Sequence, residues 1–154
     1  MEGIGWENSE IATGSTILIR PNQTTPDADG NTVYADKRVR QALAMAVDNN
    51  ICLELGYANK GAPADNHHAG SMHPEHDPSV GRLPYDPAKA KALMAEAGMA
   101  DYEHELISID DDWRKNTTDA VAAQLRDAGI KVKRTILPGS TFWNDWAKYP
   151  FSST

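Results

Sequence analysis

Apolar residues recur in the first half of the chain at the spacing of an α-helix. After Asp36 they stand three or four positions apart, at Val39, Ala42, Leu43, Ala46 and Val47. This pattern predicts a helix that is capped by Asp36 and buries one face. A second helix is predicted between Asp86 and Gly98, because aspartate caps helices, Pro87 suits the first helical position and glycine ends them.

Shorter apolar runs predict strands. Residues 16–19 form one β-branched run, which Pro21 halts. The second half of the chain predicts a strand, a loop, a helix and a strand, at 105–109, 110–116, 117–128 and 130–137. A helix between two strands predicts a βαβ unit with parallel strands, so the predicted fold class is α/β.

One more helix is predicted after Pro138 and Gly139, with Ser140 as its cap. Its apolar side would carry four aromatic residues, Phe142, Trp143, Trp146 and Tyr149. A contact with the core or with another lobe explains this aromatic face more simply than a sugar-stacking or cofactor-binding site does.

Composition narrows the classes of function. The chain has 154 residues, enough for one domain, and its net charge of −7 argues against a nucleic-acid partner. No stretch is long and apolar enough to span a membrane, and the first residues do not resemble a signal peptide. The single cysteine, Cys52, stands among apolar residues and predicts a buried thiol. Common catalytic motifs are missing from the sequence, so neither enzyme activity nor a cofactor is predicted.

The densest group of potential metal ligands lies in the long segment between residues 56 and 84. Its imidazoles belong to His67, His68, His73 and His76. Zinc, nickel and copper accept such ligands, but Pro74 and the loop setting exclude the helical spacing that would place two imidazoles on one face. The segment is interpreted first as a solvated loop and second as a metal site.

The segment 110–116 is the second candidate site, because it directly follows a predicted parallel strand. Ligands of open α/β sheets bind beyond the carboxyl ends of the strands. Asp110 and Asp111 could receive an amine or a cation, and Trp113 could offer an apolar platform. The backbone amides of the helix predicted to start near Thr117 could bind a carboxylate. The alternative is an exposed acidic turn that only caps the helix.

Three separated stretches share patterns with one family of transport proteins. Residues 36–48, Asp-Lys-Arg-Val-Arg-Gln-Ala-Leu-Ala-Met-Ala-Val-Asp, are followed by Asn49 where that family usually has arginine. Gly56 and residues 61–63 precede Tyr-Asp-Pro-Ala-Lys-Ala-Lys-Ala-Leu at 85–93, and a third stretch covers 122–132. In order and spacing they resemble the periplasmic solute-binding proteins of the peptide, nickel and opine ABC importers.

The resemblance implies one lobe of a two-lobed periplasmic receptor, which captures a peptide-like solute and delivers it to an ABC permease in the inner membrane. It implies an N-terminal segment and strand at 1–21, the lobe at 22–149 and a truncated end at 150–154. Further contacts to the solute would come from the missing lobe and from sequence beyond Thr154.

The loops that interrupt the family pattern are the predicted cleft. The candidates for binding the solute are Gly61, Pro63, His67, Asp110, Asp111, Trp113 and Asn116. The alternative function is a receptor for a metal or metal complex, such as nickel or haem, held by the four histidines of the 67–76 loop.

Overall fold

A single mixed sheet organises the protein, which is described here by a computed structural model for residues 2–80 and 82–154. Its strands are β1 (Ile19–Pro21), β2 (His104–Ile109), β3 (Val132–Leu137) and β4 (Phe151–Ser153). They lie in the order β1-β4-β2-β3. β2 is parallel to β3 and β4, whereas β1 is antiparallel to β4. A helix connects β2 to β3, so the predicted βαβ unit and α/β class are confirmed.

In the described ranges the α-helices are α1 (Lys37–Met45), α2 (Asn49–Tyr57), α3 (Pro87–Glu96), α4 (Asp112–Asp127) and α5 (Gly139–Asp145). None of the helices described is long and apolar enough to cross a membrane.

The predicted helices after Asp36 and Asp86 are confirmed together with their caps. The Asp36 carboxylate accepts from the backbone N–H of Arg38 at 2.8 Å, and that of Asp86 accepts from Lys89 at 2.9 Å. Pro87 occupies the first position of α3, as its spacing predicts. Local side-chain chemistry therefore determines where both helices begin.

Helix α2 was not predicted, although Asp48 gives it the same kind of start. The Asp48 carboxylate accepts from the backbone N–H of Asn50 at 2.9 Å. Helix α2 packs closely on α4, because a Cβ added to Gly56 would lie 2.0 Å from the hydroxyl oxygen of Thr117. Cys52 also lies in α2 and is buried, as predicted, and burial raises the pKa of its thiol to about 11.

Two predicted boundaries near the start and middle of the chain are wrong. The strand expected at 16–19 begins only at Ile19 and includes Pro21. Proline fits there because β1 is an edge strand with a partner on one side only. The loop expected at 110–116 is mostly helix, since α4 begins at Asp112 after Asp111 accepts from the backbone N–H of Arg114 at 3.0 Å.

The last predicted helix is shorter than expected. Helix α5 follows Pro138 directly, and no side chain caps it. The prediction that Ser140 caps this helix is therefore wrong. It ends at Asp145 and a 3₁₀ turn follows. Strand β4 follows and was not predicted, yet its Phe151 is almost fully buried.

Each face of the sheet has its own apolar core, as the alternation of β2 requires. On one face Leu106 packs with Leu125 of α4 and with Phe151. On the other face Ile107 and Ile109 pack against Phe142 of α5. The sheet is therefore covered on both sides at its centre.

His104 lies fully buried in the larger core. Its Nδ1 is hydrogen-bonded to the Tyr34 hydroxyl at 2.8 Å, while its Nε2 has no hydrogen-bond partner in the described part of the chain. Burial lowers the pKa of His104 to about 4, because the core cannot solvate a charged imidazole. The histidine is a neutral core residue in the folded protein.

We expect acid to destabilise the protein through His104. The imidazole protonates near pH 6.5 in the unfolded chain and near pH 4 in the folded one, so stability present above pH 6.5 is lost as the pH falls toward 4. The full loss is about 3 kcal/mol, since each pKa unit is worth roughly 1.4 kcal/mol. Urea unfolding at several pH values would measure it, and His104→Gln should show a flatter profile. An identical profile in the variant would exclude His104 as the cause.

We expect Gly56→Ala to destabilise the protein by about 2 kcal/mol, because a methyl group would overpack the contact between α2 and α4. The measurement is the free energy of unfolding in denaturant. Leu55→Ala is the matched control, since the neighbouring leucine is 60% exposed on the same helix. Equal stability of Gly56→Ala and wild type would contradict the close contact.

Candidate functional site

Helices α4 and α5 begin just beyond the carboxyl ends of two parallel strands. The backbone N–H of Asp110 donates to the carbonyl of Leu137 at 2.9 Å, which holds these strand ends together. Trp113 lies in the first turn of α4, and Trp143 lies in α5. Both tryptophans therefore lie in helices that begin at the edge of the sheet where open α/β folds bind ligands.

Arg114 connects the two tryptophans. Its guanidinium carbon is 4.0 Å from the ring centroid of Trp113 and 5.8 Å from that of Trp143. The guanidinium also pairs with the carboxylate of Asp111. Cation–π contacts on both sides and one ion pair hold the arginine in a defined position.

Further aromatic and cation–π contacts extend the row formed by Trp113, Arg114 and Trp143 in both directions. Tyr57, the last residue of α2, has its ring centroid 6.3 Å from that of Trp113. Trp143 and Trp146 have centroids 6.4 Å apart, and the guanidinium of Arg20 lies 4.4 Å from the centroid of Trp146. We call this continuous row the arginine–tryptophan surface, and it consists of Tyr57, Trp113, Arg114, Trp143, Trp146 and Arg20.

The surface is half-exposed, and each of its two arginines has one buried nitrogen without a hydrogen-bond partner in the described part of the chain. Tyr57, Trp143 and Trp146 expose 50%, 46% and 40% of their area. Arg20 donates to the carbonyl of Trp146 at 2.7 Å, but its Nε has no partner among the described residues, and neither has that of Arg114. Flat apolar faces beside guanidinium groups can stack on planar groups and bind carboxylates or carbonyl oxygens.

The structure separates the predicted residues of the 110–116 segment into different roles. Trp113 is part of the arginine–tryptophan surface. Asp110 and Asn116, which lie within three residues of it in sequence, are exposed. Asp111 caps α4 and pairs with Arg114, so its carboxylate is already occupied. The helix amides expected near Thr117 are inside α4, which begins five residues earlier, and that part of the prediction is wrong.

Gly61 and Pro63 lie exposed in the long loop that follows α2. The loop is attached to the start of α2, where the Asn49 side chain donates to the carbonyl of Ala64 at 2.7 Å and to the side-chain oxygen of Asn66 at 2.9 Å. Neither Gly61 nor Pro63 belongs to the arginine–tryptophan surface.

The predicted group of four histidines does not assemble in the structure. His67 and His76 come together with Asp65, and the potential ligand atoms of these three residues lie within 4.8 Å of one another. His68 is exposed outside the group, and the Nδ1 of His73 accepts from the backbone N–H of Gly70 at 2.9 Å. Asp65 was not among the predicted metal ligands, and its only local signal is its position two residues before His67.

The aromatic side of α5 was also predicted wrongly in part. Phe142 is buried as expected, but Trp143 and Trp146 are not. Their pairing with arginines depends on α4 and β1, which are distant in sequence. The sequence signal that could have indicated this surface is the adjacent pair Trp113 and Arg114, which places a cation beside an aromatic ring.

Comparison with known proteins gives the family. Residues 2–154 match the sequence model described as Bacterial extracellular solute-binding proteins, family 5 Middle. Di/tripeptide-binding protein 2 of Pseudomonas aeruginosa (strain UCBPP-PA14) is 35% identical over 88 residues, 55% of this chain and 16% of the relative. Heme-binding protein A of Haemophilus influenzae is 30% identical over 121 residues, 75% of this chain and 21% of the relative. The chain thus spans about a fifth or less of these curated relatives.

Solved structures share the fold. Listeria monocytogenes OppA bound to peptide superposes with a TM-score of 0.70 at 27% identity, over 90% of this chain and 30% of that one. NikA from Brucella suis in complex with Fe(III)-EDTA superposes with a TM-score of 0.74 at 22% identity, over the same shares of the two chains. The predicted lobe of a periplasmic-binding-protein fold is confirmed.

The family model covers almost the whole chain, and the family consists of binding proteins and not of enzymes. The predicted resemblance is therefore confirmed: the chain belongs to the bacterial extracellular solute-binding proteins of family 5.

Proposed function

We propose that the chain is one lobe of a two-lobed periplasmic receptor that captures a peptide-like solute and delivers it to an ABC permease in the inner membrane. The arginine–tryptophan surface, placed beyond the carboxyl ends of parallel strands, is the observation that carries the proposal. Membership of family 5 supports the transport role.

The chemistry of the surface suits a peptide. A peptide offers planar amides and apolar side chains that stack on tryptophan and tyrosine, and carbonyl or carboxylate oxygens that accept from guanidinium groups. Two relatives named for di- and tripeptides and a peptide-bound OppA support this class of solute.

A metal-complex solute, the predicted alternative, fits the surface less well. Among the described residues, the cluster able to ligate a metal is Asp65 with His67 and His76, in the loop after α2. That cluster includes no residue of the arginine–tryptophan surface. A relative is named for haem, so metal-complex solutes are the alternative, but stacking faces beside guanidinium groups support the peptide proposal.

The surface also explains why a second lobe is needed. A small ligand is usually buried over most of its area, and the half-exposed rings cover it from one side only. Closure of a second lobe over the bound solute would exclude water and complete the contacts. In this arrangement Trp113 contacts the solute, Asp110 and Asn116 border the contact, and Asp111 positions Arg114. Gly61, Pro63 and His67 stay predictions for the edge of the cleft.

We expect Trp113→Ala in the full-length receptor to weaken peptide binding by about tenfold, which corresponds to roughly 1.4 kcal/mol. The loss follows from removing one stacking face and one wall of the Arg114 site. Isothermal titration with a mixture of di-, tri- and longer peptides, followed by the single tightest peptide, provides the measurement.

Tyr85→Ala is the matched control, because this tyrosine is 52% exposed and lies outside the arginine–tryptophan surface. Its affinity should equal that of wild type. If Trp113→Ala keeps its fold by circular dichroism and also keeps wild-type affinity, the surface is not the peptide site.

A further inference from the structure

A second cluster of side chains lies away from the arginine–tryptophan surface, in the loop between α2 and α3. The Nε2 of His76 is 3.4 Å from Oδ2 of Asp65. The imidazoles of His67 and His76 stack with centroids 5.3 Å apart and an interplanar angle of 21°. Two imidazoles and one carboxylate thus converge from positions eleven residues apart at most.

These spacings are close to those of a tetrahedral zinc site. With zinc–nitrogen and zinc–oxygen distances of about 2.1 Å, neighbouring ligand atoms of a tetrahedron stand about 3.4 Å apart. The distance between His76 and Asp65 already has that value, and the other pairs of potential ligand atoms fall within 4.8 Å. Because imidazole nitrogens bind metal in the plane of the ring, the two rings must rotate out of their stacked arrangement to bind one ion. Ligands of this mixed nitrogen and oxygen kind suit zinc, whereas magnesium and calcium prefer oxygen ligands alone.

Neighbouring groups hold the carboxylate and leave a donor atom unused. Arg82 lies 3.5 Å from Oδ1 of Asp65, so the other oxygen is the one that faces His76. Such outer contacts orient the ligands of metal sites. The Nε2 of His67 is buried and has no hydrogen-bond partner within the described ranges, which leaves a lone pair or a proton uncompensated.

A cavity beside the cluster gives room for a fourth ligand. Two residues of the cluster, Asp65 and His67, border this cavity of about 150 Å³, whose lining also includes Ala44, Asn66, Val80, Arg82 and Leu83. Three protein ligands leave one tetrahedral position, which a water molecule in this cavity can occupy. The exposed Asp77 adds negative charge nearby, but its carboxylate accepts from the backbone and hydroxyl of Ser79 and is not a ligand.

We propose that Asp65, His67 and His76 bind one divalent metal ion, with zinc as the preferred ion, that stabilises the loop between α2 and α3. The ion would cross-link the two sides of a segment that otherwise has few regular hydrogen bonds, and Asn49 already attaches its first part to α2. None of the three ligand residues belongs to the arginine–tryptophan surface, and the proposed site does not depend on the identity of the solute.

The test is isothermal titration of the untagged 154-residue chain with zinc chloride, with magnesium and calcium chloride as hard-cation controls. One zinc ion per chain should bind. His67→Ala and His76→Ala should each weaken binding by about a hundredfold, and Asp65→Asn by about tenfold or more. Zinc should also slow proteolytic cleavage of the loop between residues 67 and 76 in wild type, but not in His76→Ala.

His68→Ala and His73→Ala are matched controls, because both histidines share the loop but lie outside the cluster. Their affinity for zinc should stay within about threefold of wild type. The proposal is overturned if no stoichiometric zinc binding occurs, if His68→Ala or His73→Ala abolishes it, or if His67→Ala and His76→Ala leave it unchanged. Because the ligand residues lie in a loop, the variants should fold like wild type. Thermal unfolding of each variant without metal verifies this.

Discussion

The close contact between α2 and α4 is the constraint on which the rest of the structure depends. Gly56 leaves the space that Thr117 fills, and Gln124 of α4 accepts from the backbone N–H of Asp48 at 2.8 Å. With α2 held in this way, Tyr57 stands beside Trp113 at one end of the helix, while Asn49 attaches the long loop at the other. One helix therefore positions both the proposed solute surface and the proposed metal loop.

The sequence predicts best those helix starts that depend on contacts between residues three or four positions apart or fewer. Asp36, Asp86 and Pro87 begin their helices through contacts with the next turn, so their sequence signals are sufficient. The start of α4 was missed because three successive aspartates offer several possible caps, and the pairing of Asp111 with Arg114 decides among them. β4 was missed because two of its three residues are serines, whose burial is imposed by the neighbouring strands.

The candidate site was predictable only where it follows from topology. Trp113 could be proposed as a site residue because it follows closely after a parallel strand, and that position is independent of detailed packing. Its partners Tyr57 and Trp143 come from helices far apart in sequence, and their proximity results from tertiary contacts. Asp65 was missed for a similar reason, since a loop can bring a carboxylate to two imidazoles without any regular spacing.

The position of β4 has a consequence for how the lobe forms. β2, α4 and β3 are contiguous in sequence, whereas β4 lies between β2 and β1, and Leu18 and Thr154 exchange two backbone hydrogen bonds of 3.0 Å. Pairing the first strand with the last closes almost the entire chain into one loop, and the loss of chain entropy grows with loop length. The pairing of edge strand β1 with β4 is thus the part of the sheet whose formation is entropically most expensive.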